Sequence, residues 1–116
     1  MKKRFMIFKI ENDSEVVLDT VGDREKTYDE FAAAIQESGE PRYGVVDYEF
    51  TTNDGRPNSK IVFVSWVPDT AKVKQKMVYS GSKDALKRVL LGIMVDINAT
   101  DASELDHTTC VLPKCT

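Results

Sequence analysis

Apolar and polar positions along the chain change period several times, and each change marks an element. Phe5-Met6-Ile7-Phe8-Lys9-Ile10 is apolar but for one lysine and predicts a strand starting almost at the N-terminus. Glu11-Asn12-Asp13-Ser14 reads as a turn into a second strand, Glu15 to Thr20. Tyr28, Phe31 and Ile35 then recur at helical spacing behind Thr27-Tyr28-Asp29-Glu30. That tetrad has the spacing of a capping box, Thr27 bonding forward and Glu30 reaching back, and Ser38-Gly39-Glu40-Pro41 ends the helix. Tyr43 to Phe50 alternates as a strand, and Asp54-Gly55 marks a turn. Ile61 to Trp66 has almost no polar interruption, so burial of both its faces is expected. Pro68 has no backbone N–H to extend a ladder, and Asp69 or Thr70 is expected to cap the helix that follows. Beyond that helix, Ile93 to Ile97 is one more strand, and Thr100 or Asp101 is placed to cap a final helical turn.

The order β-β-α-β-β-α-β predicts an α+β (α/β-like) domain with a central mixed sheet of about five strands flanked by helices. At 116 residues the chain is read as one domain over 1–106, long enough to bury a core without metal or disulfides, with 107–116 as a loose tail.

Charge changes this picture at one place. Between Lys72 and Arg88 stand six basic residues (72, 74, 76, 83, 87, 88) against one acid, Asp84, a local charge of +5. The whole chain carries −3, so the rest sums to −8. Like charges gathered without interleaved acids do not stabilise a helix by themselves, so the stretch reads as a surface for an acidic partner. At about 100° per residue, Lys72, Lys76, Lys83 and Lys87 fall within about 60° of one another. The apolar centre is set by Val73, Met77 and Val78 in the first half, and by Ala85, Leu86, Val89 and Leu90 in the second. It drifts by about 120°, too far for one straight helix, so a bend is expected at Ser80-Gly81-Ser82. Lys74 falls on the apolar side, which predicts an irregular first turn.

Catalytic chemistry finds no support. The single histidine, His107, lies in the tail, and Gly55, Gly81 and Gly92 are isolated rather than forming a phosphate loop. With Cys110 and Cys115, His107 spells H-x-x-C-x4-C, but a structural zinc site needs a fourth ligand, so free thiols are the better reading. No enzyme activity, cofactor or metal is expected. Trp66 and Tyr79 do not interleave with the basic residues, which argues against nucleic acid. An acidic protein surface or anionic phosphoinositide headgroups fit better. No apolar stretch is long enough to span a bilayer, and no secretory signal precedes the first strand, so a cytoplasmic monomer is the default.

The stretch WVPDTAKVKQKMVYSGSKDALKRVL resembles the core of the actin-depolymerising factor/cofilin family, roughly W-x-P-D-x-A-x-V-x-x-K-M-x-Y-x-S-S-K-D-x-L-x-R. KKRFMIFKI, TYDEFAAAI, RYGVVDYEF and IMVDINATDASELD follow the family in order, so about residues 2–106 carry the resemblance. It implies the ADF-homology fold, a mixed sheet with helices on both faces. The implied function is binding of actin monomers and filaments through a basic kinked helix, with severing and depolymerisation of the filament. It places Lys74, Lys76, Met77, Lys83, Asp84, Lys87 and Arg88 at actin, and Lys60, Arg56, Asp101 and Glu104 at a second, filament-side contact. Gly81 resembles the glia maturation factor branch, which acts on an actin-related complex, whereas Trp66-Val67-Pro68-Asp69 and Lys87-Arg88 resemble cofilin proper.

Two departures carry expectations of their own. The family has a segment with a phosphorylatable serine and a helix before the first strand, so a sheet face is expected to be partly bare here. DHTTCVLPKCT, with Pro113, lacks the family's C-terminal helical pattern. A truncated or alternatively spliced form, or a mispredicted gene model, is the expected explanation, ahead of a divergent member specialised for monomers.

Overall fold

The computed structural model describes residues 3–12, 14–52, 54–90 and 92–106. Within them the elements run β1 (Phe5–Glu11), β2 (Glu15–Gly22), α1 (Tyr28–Gln36), β3 (Arg42–Thr51), β4 (Pro57–Trp66), α2 (Val73–Val89) and β5 (Val95–Ala99), closed by a 3₁₀ turn, Ala102–Leu105. The expected order is therefore observed. β5 starts two residues later than its pattern suggests, and β4 starts at Pro57, ahead of its apolar run. His107, Cys110 and Cys115 lie outside the described residues. No described helix is long and apolar enough to cross a membrane.

The strands form one sheet in the order β2-β1-β3-β4-β5. β1 pairs antiparallel with β2 and β3, and β3 with β4, whereas β5 joins parallel to β4 across α2. Alternation along the strands sends side chains to two cores. Ile7, Val46, Val62, Val64 and Ile97 meet α1 and the 3₁₀ turn on one face, while Tyr43, Val45 and Phe63 meet α2 on the other. β4 serves both cores, which explains its apolar run from Ile61 to Trp66, interrupted only by the buried Ser65.

α1 begins as its spelling demands, with the Thr27 side chain accepting from the Glu30 N–H at 3.2 Å. Glu30 does not reach back to complete the box; its carboxylate lies 3.4 Å from Lys26 Nζ. The buried face of α1 is Phe31 and Ile35, set down on Gly44 of β3. A Cβ on Gly44 would come within 2.5 Å of Phe31 Cζ and 2.9 Å of Ile35 Cδ1. Gly44→Ala is therefore expected to lower the unfolding free energy by about 2 kcal/mol, read as a reduced urea midpoint. Adding Phe31→Leu should recover part of the loss, and no recovery would show that the clash is not with Phe31.

On the α2 face the sheet is covered unevenly. Leu18 and Val21 of β2 are exposed and Met6 and Phe8 of β1 are half-buried, so the β2–β1 end of this face has no helix over it among the described residues.

Candidate functional site

α2 starts later than its sequence suggests. β4 ends at Trp66, and the Ala71 N–H donates to the Pro68 carbonyl at 2.9 Å in an intervening turn. Neither Asp69 nor Thr70 caps the helix. Lys72 holds the cap position, and its N–H donates to Gln75 Oε1 at 3.4 Å. From Val73 the helix runs unbroken through Ser80-Gly81-Ser82 to Val89.

Its buried face differs from the expected one. Tyr79 and Leu86 are buried, and Gln75, Ser82 and Leu90 are half-buried beside them. Those five positions fall within about 80° on a straight helix, so one face serves along its whole length. The drift that argued for a bend is absent because Val73, Met77 and Val89 are not core residues. They are 73%, 70% and 73% exposed. Lys74 is exposed too, on a regular first turn, because the buried stripe lies elsewhere.

Phenols and lysines fix the helix to the sheet. Tyr43 Oη donates to the Tyr79 carbonyl, and Tyr79 Oη accepts from the Ile10 N–H at 2.9 Å. Burial pushes the Tyr43 phenol well above its ordinary value, so this donor keeps its proton at neutral pH. Along the flank facing β5, Lys83 Nζ donates to Asn98 Oδ1 at 2.7 Å and lies 3.2 Å from Asp96 Oδ1. Lys87 Nζ donates to Asp96 Oδ2 at 2.6 Å, and Lys76 Nζ to the Asp69 carbonyl at 2.9 Å.

Asp96 is the acid at the centre of this arrangement. Burial pushes its carboxyl up, but the bonds from Lys87 and Lys83 outweigh burial and hold it below the ordinary 3.8. The folded carboxyl takes up its proton less readily than the unfolded one. Ionised Asp96 therefore favours the fold above about pH 4, and the benefit is lost as pH falls through the lower folded value. The side chain is 32% exposed, so water screens the pair. Asp96→Asn is expected to cost about 1 kcal/mol at neutral pH, with the gap to the parent protein closing in acid unfolding. A gap that persists at about pH 2 would show that the carboxylate's charge is not what matters.

The predicted residues therefore divide. Lys74, Met77, Asp84 and Arg88 share the outward face of α2 with Val73, a residue whose apolar character had pointed to the core. Of the expected row of four, Lys72 is exposed at the helix cap, whereas Lys83 and Lys87 turn to acceptors on β5 and Lys76 to the Asp69 carbonyl in the turn after β4. The available signal for Val73 was its i, i+4 spacing to Met77, off the Gln75–Tyr79–Ser82–Leu86 stripe.

The structure does not bring the four filament-side candidates together. Arg56 sits in the β3–β4 turn, 83% exposed and 3.3 Å from Asp54, and Lys60 follows four residues on in β4. Asp101 and Glu104 lie beyond β5, whose last residue, Ala99, pairs with Trp66. Along β4, Lys60 to Trp66 alone spans about 20 Å. Both acids also build the local turn: Asp101 Oδ1 accepts from the Glu104 N–H at 3.3 Å, and Glu104 Oε1 from the Thr100 N–H at 2.9 Å.

Comparison with known proteins gives consistent matches. The family model described as cofilin/tropomyosin-type actin-binding protein matches residues 1–111. The chain is 48% identical over 103 residues to actin-depolymerizing factor 10 of Arabidopsis thaliana, a match covering 88% of this chain and 73% of that protein. It is 50% identical over 103 residues to actin-depolymerizing factor 6 of Oryza sativa subsp. japonica, with the same coverage. The crystal structure of Streptomyces griseoflavus cofilin superposes with a TM-score of 0.85 at 42% identity, covering 99% of this chain and 85% of that one. Plasmodium berghei actin depolymerization factor 2 gives 0.81 at 30% identity, with the same coverage.

Proposed function

The chain belongs to the cofilin/tropomyosin-type actin-binding protein family, and we propose that it binds actin monomers and filaments through the outward face of α2 and promotes filament severing and depolymerisation. One observation carries the reading. Val73 and Met77 stand exposed at adjacent turns of a helix flanked by Lys74 and Arg88, on a body of opposite net charge. Exposed apolar side chains ringed by basic ones are suited to an apolar pocket with an acidic rim. No bond to actin need be made or broken covalently. A ligand that binds one filament state better than another shifts the population towards it.

Lys74, Met77, Asp84 and Arg88 are assigned to direct contact. Lys76, Lys83 and Lys87 are assigned to holding the helix, with contact to actin a secondary role. Arg56 and Lys60 form one filament-side patch, and Asp101 and Glu104 belong to the opposite end of β4. The protein acts as a monomer on the cytoplasmic actin cytoskeleton. Phosphoinositide headgroups are the weaker second reading, since Lys76, Lys83 and Lys87 already serve acceptors of the fold.

Co-sedimentation with filamentous actin tests the proposal. The expected result is protein in the pellet with extra actin in the supernatant, weakening as salt rises. Lys74→Ala with Arg88→Ala should reduce both signals without lowering the melting temperature. An unchanged pellet in that double variant would remove α2 from the contact.

A further inference from the structure

The β3–β4 hairpin overhangs the sheet. β1 pairs with β3 only from Tyr43 to Val46, and β5 pairs with β4 only from Val62 to Trp66. The last bond on the β1 side is the Asp47 N–H to the Arg4 carbonyl at 2.9 Å. Backbone direction alternates along a strand, so Glu49 and Thr51 point their N–H and C=O groups the same way as Asp47, where no described strand pairs with them. Against this edge lies the segment 24–29, leaving an open groove of about 640 Å³. Tyr28, Tyr48 and Phe50 form its aromatic wall, with Tyr48 and Phe50 stacked at 5.8 Å.

The charges of the groove are largely committed. The Arg4 guanidinium donates to Glu49 Oε1, to the Asp47 carbonyl and to the carbonyls of Arg24 and Lys26. Arg24 donates to Asp47 Oδ2 at 2.7 Å and to Glu49 Oε1 at 3.0 Å. Asp47 is 8% exposed, and its other oxygen, Oδ1, is buried with no hydrogen-bond partner among the described residues. A buried carboxylate oxygen without a donor is costly, and Glu25 and Asp29 add negative charge at the rim against one lysine, Lys26, which itself lies 3.4 Å from Glu30.

We propose that this groove receives an extended basic segment of a partner protein, which adds to the free edge of β3 as a short strand and brings a lysine or arginine to Asp47. An unpaired strand edge supplies main-chain affinity, and side-chain pockets beside it supply selectivity. The committed arginines disfavour an anionic occupant, and the orphan oxygen favours a donor. This contact lies away from the outward face of α2; it shares the β3–β4 hairpin with the Arg56–Lys60 patch but uses the edge of β3 turned away from β4.

The probe is a set of acetylated heptapeptide pools with a fixed central arginine, glutamate or alanine and varied flanks. Amide hydrogen exchange of the intact protein is the readout. The arginine pool should slow exchange at Glu49 and Thr51 and leave the amides of α2 unchanged, with the glutamate pool ineffective. Asp47→Asn should weaken the arginine pool by about tenfold, the worth of one charge-assisted bond. Thr51→Pro should also weaken it, because that N–H faces away from β4 and its loss costs the hairpin no ladder bond. The proposal is overturned if no pool protects either amide, if arginine and glutamate pools act alike, or if Thr51→Pro binds normally. Protection of both amides with no peptide present would place a second copy or another part of the same chain on the edge, and would overturn it equally.

Discussion

Met77→Glu is expected to weaken binding to actin monomers by about 100-fold while leaving the melting temperature within a degree or so of the parent. Met77 is 70% exposed and belongs to neither buried cluster, so the fold loses almost nothing when it changes. In the complex the same position lies at the centre of the proposed contact, between Val73 one turn before and Asp84 and Arg88 beyond. A carboxylate there has to be desolvated against an apolar pocket, and central interface positions carry a disproportionate share of affinity. Lys76→Ala is the informative contrast. It deletes a bond to the Asp69 carbonyl on the flank, so its effect on affinity is expected to be only a few-fold. Titration of labelled monomeric actin reads both. Equal losses for the two variants, or unchanged affinity for Met77→Glu, would move the contact off the outward face.

The largest effect on stability is expected from Phe31→Ala, about 3–5 kcal/mol. Phe31 is fully buried, with its ring 5.4 Å from that of Phe5 and 5.6 Å from that of Tyr28. It also rests on Gly44, so the vacated space opens directly onto the sheet. Domains of this size unfold at about 5–15 kcal/mol, so one ring carries a large fraction of the total. Chemical denaturation at constant m-value measures it. Because α1 lies on the face opposite α2, the folded fraction should keep its actin affinity. A loss below about 1 kcal/mol would mean that Phe5 and Ile35 close over the cavity.

Most of the fold was legible because its signals are local. Thr27 capped α1, Phe31 and Ile35 marked its buried side, and the apolar run before Trp66 marked a strand covered twice. The family resemblance added the general form of the sheet. The orientation of α2 was not legible. Valine and methionine carry no polar group, unlike glutamine, tyrosine and serine, so the helix seemed to turn its apolar centre midway. The true stripe is anchored by a tyrosine that satisfies its own polar end through the Ile10 N–H. The lysine row was legible as a row, but its direction was not. That depends on Asp96 and Asn98, which reach the helix only after β5 has joined the sheet.

Tyr43, Tyr79, Lys83 and Lys87 join α2 to the sheet at both of its halves. A surface held this way gives up little conformational freedom when a partner arrives. The heat-capacity change of association should then match the apolar area covered around Val73 and Met77, without the extra decrease seen when a segment folds on contact. Substitutions on the outward face should accordingly change how long the complex lasts far more than how fast it forms.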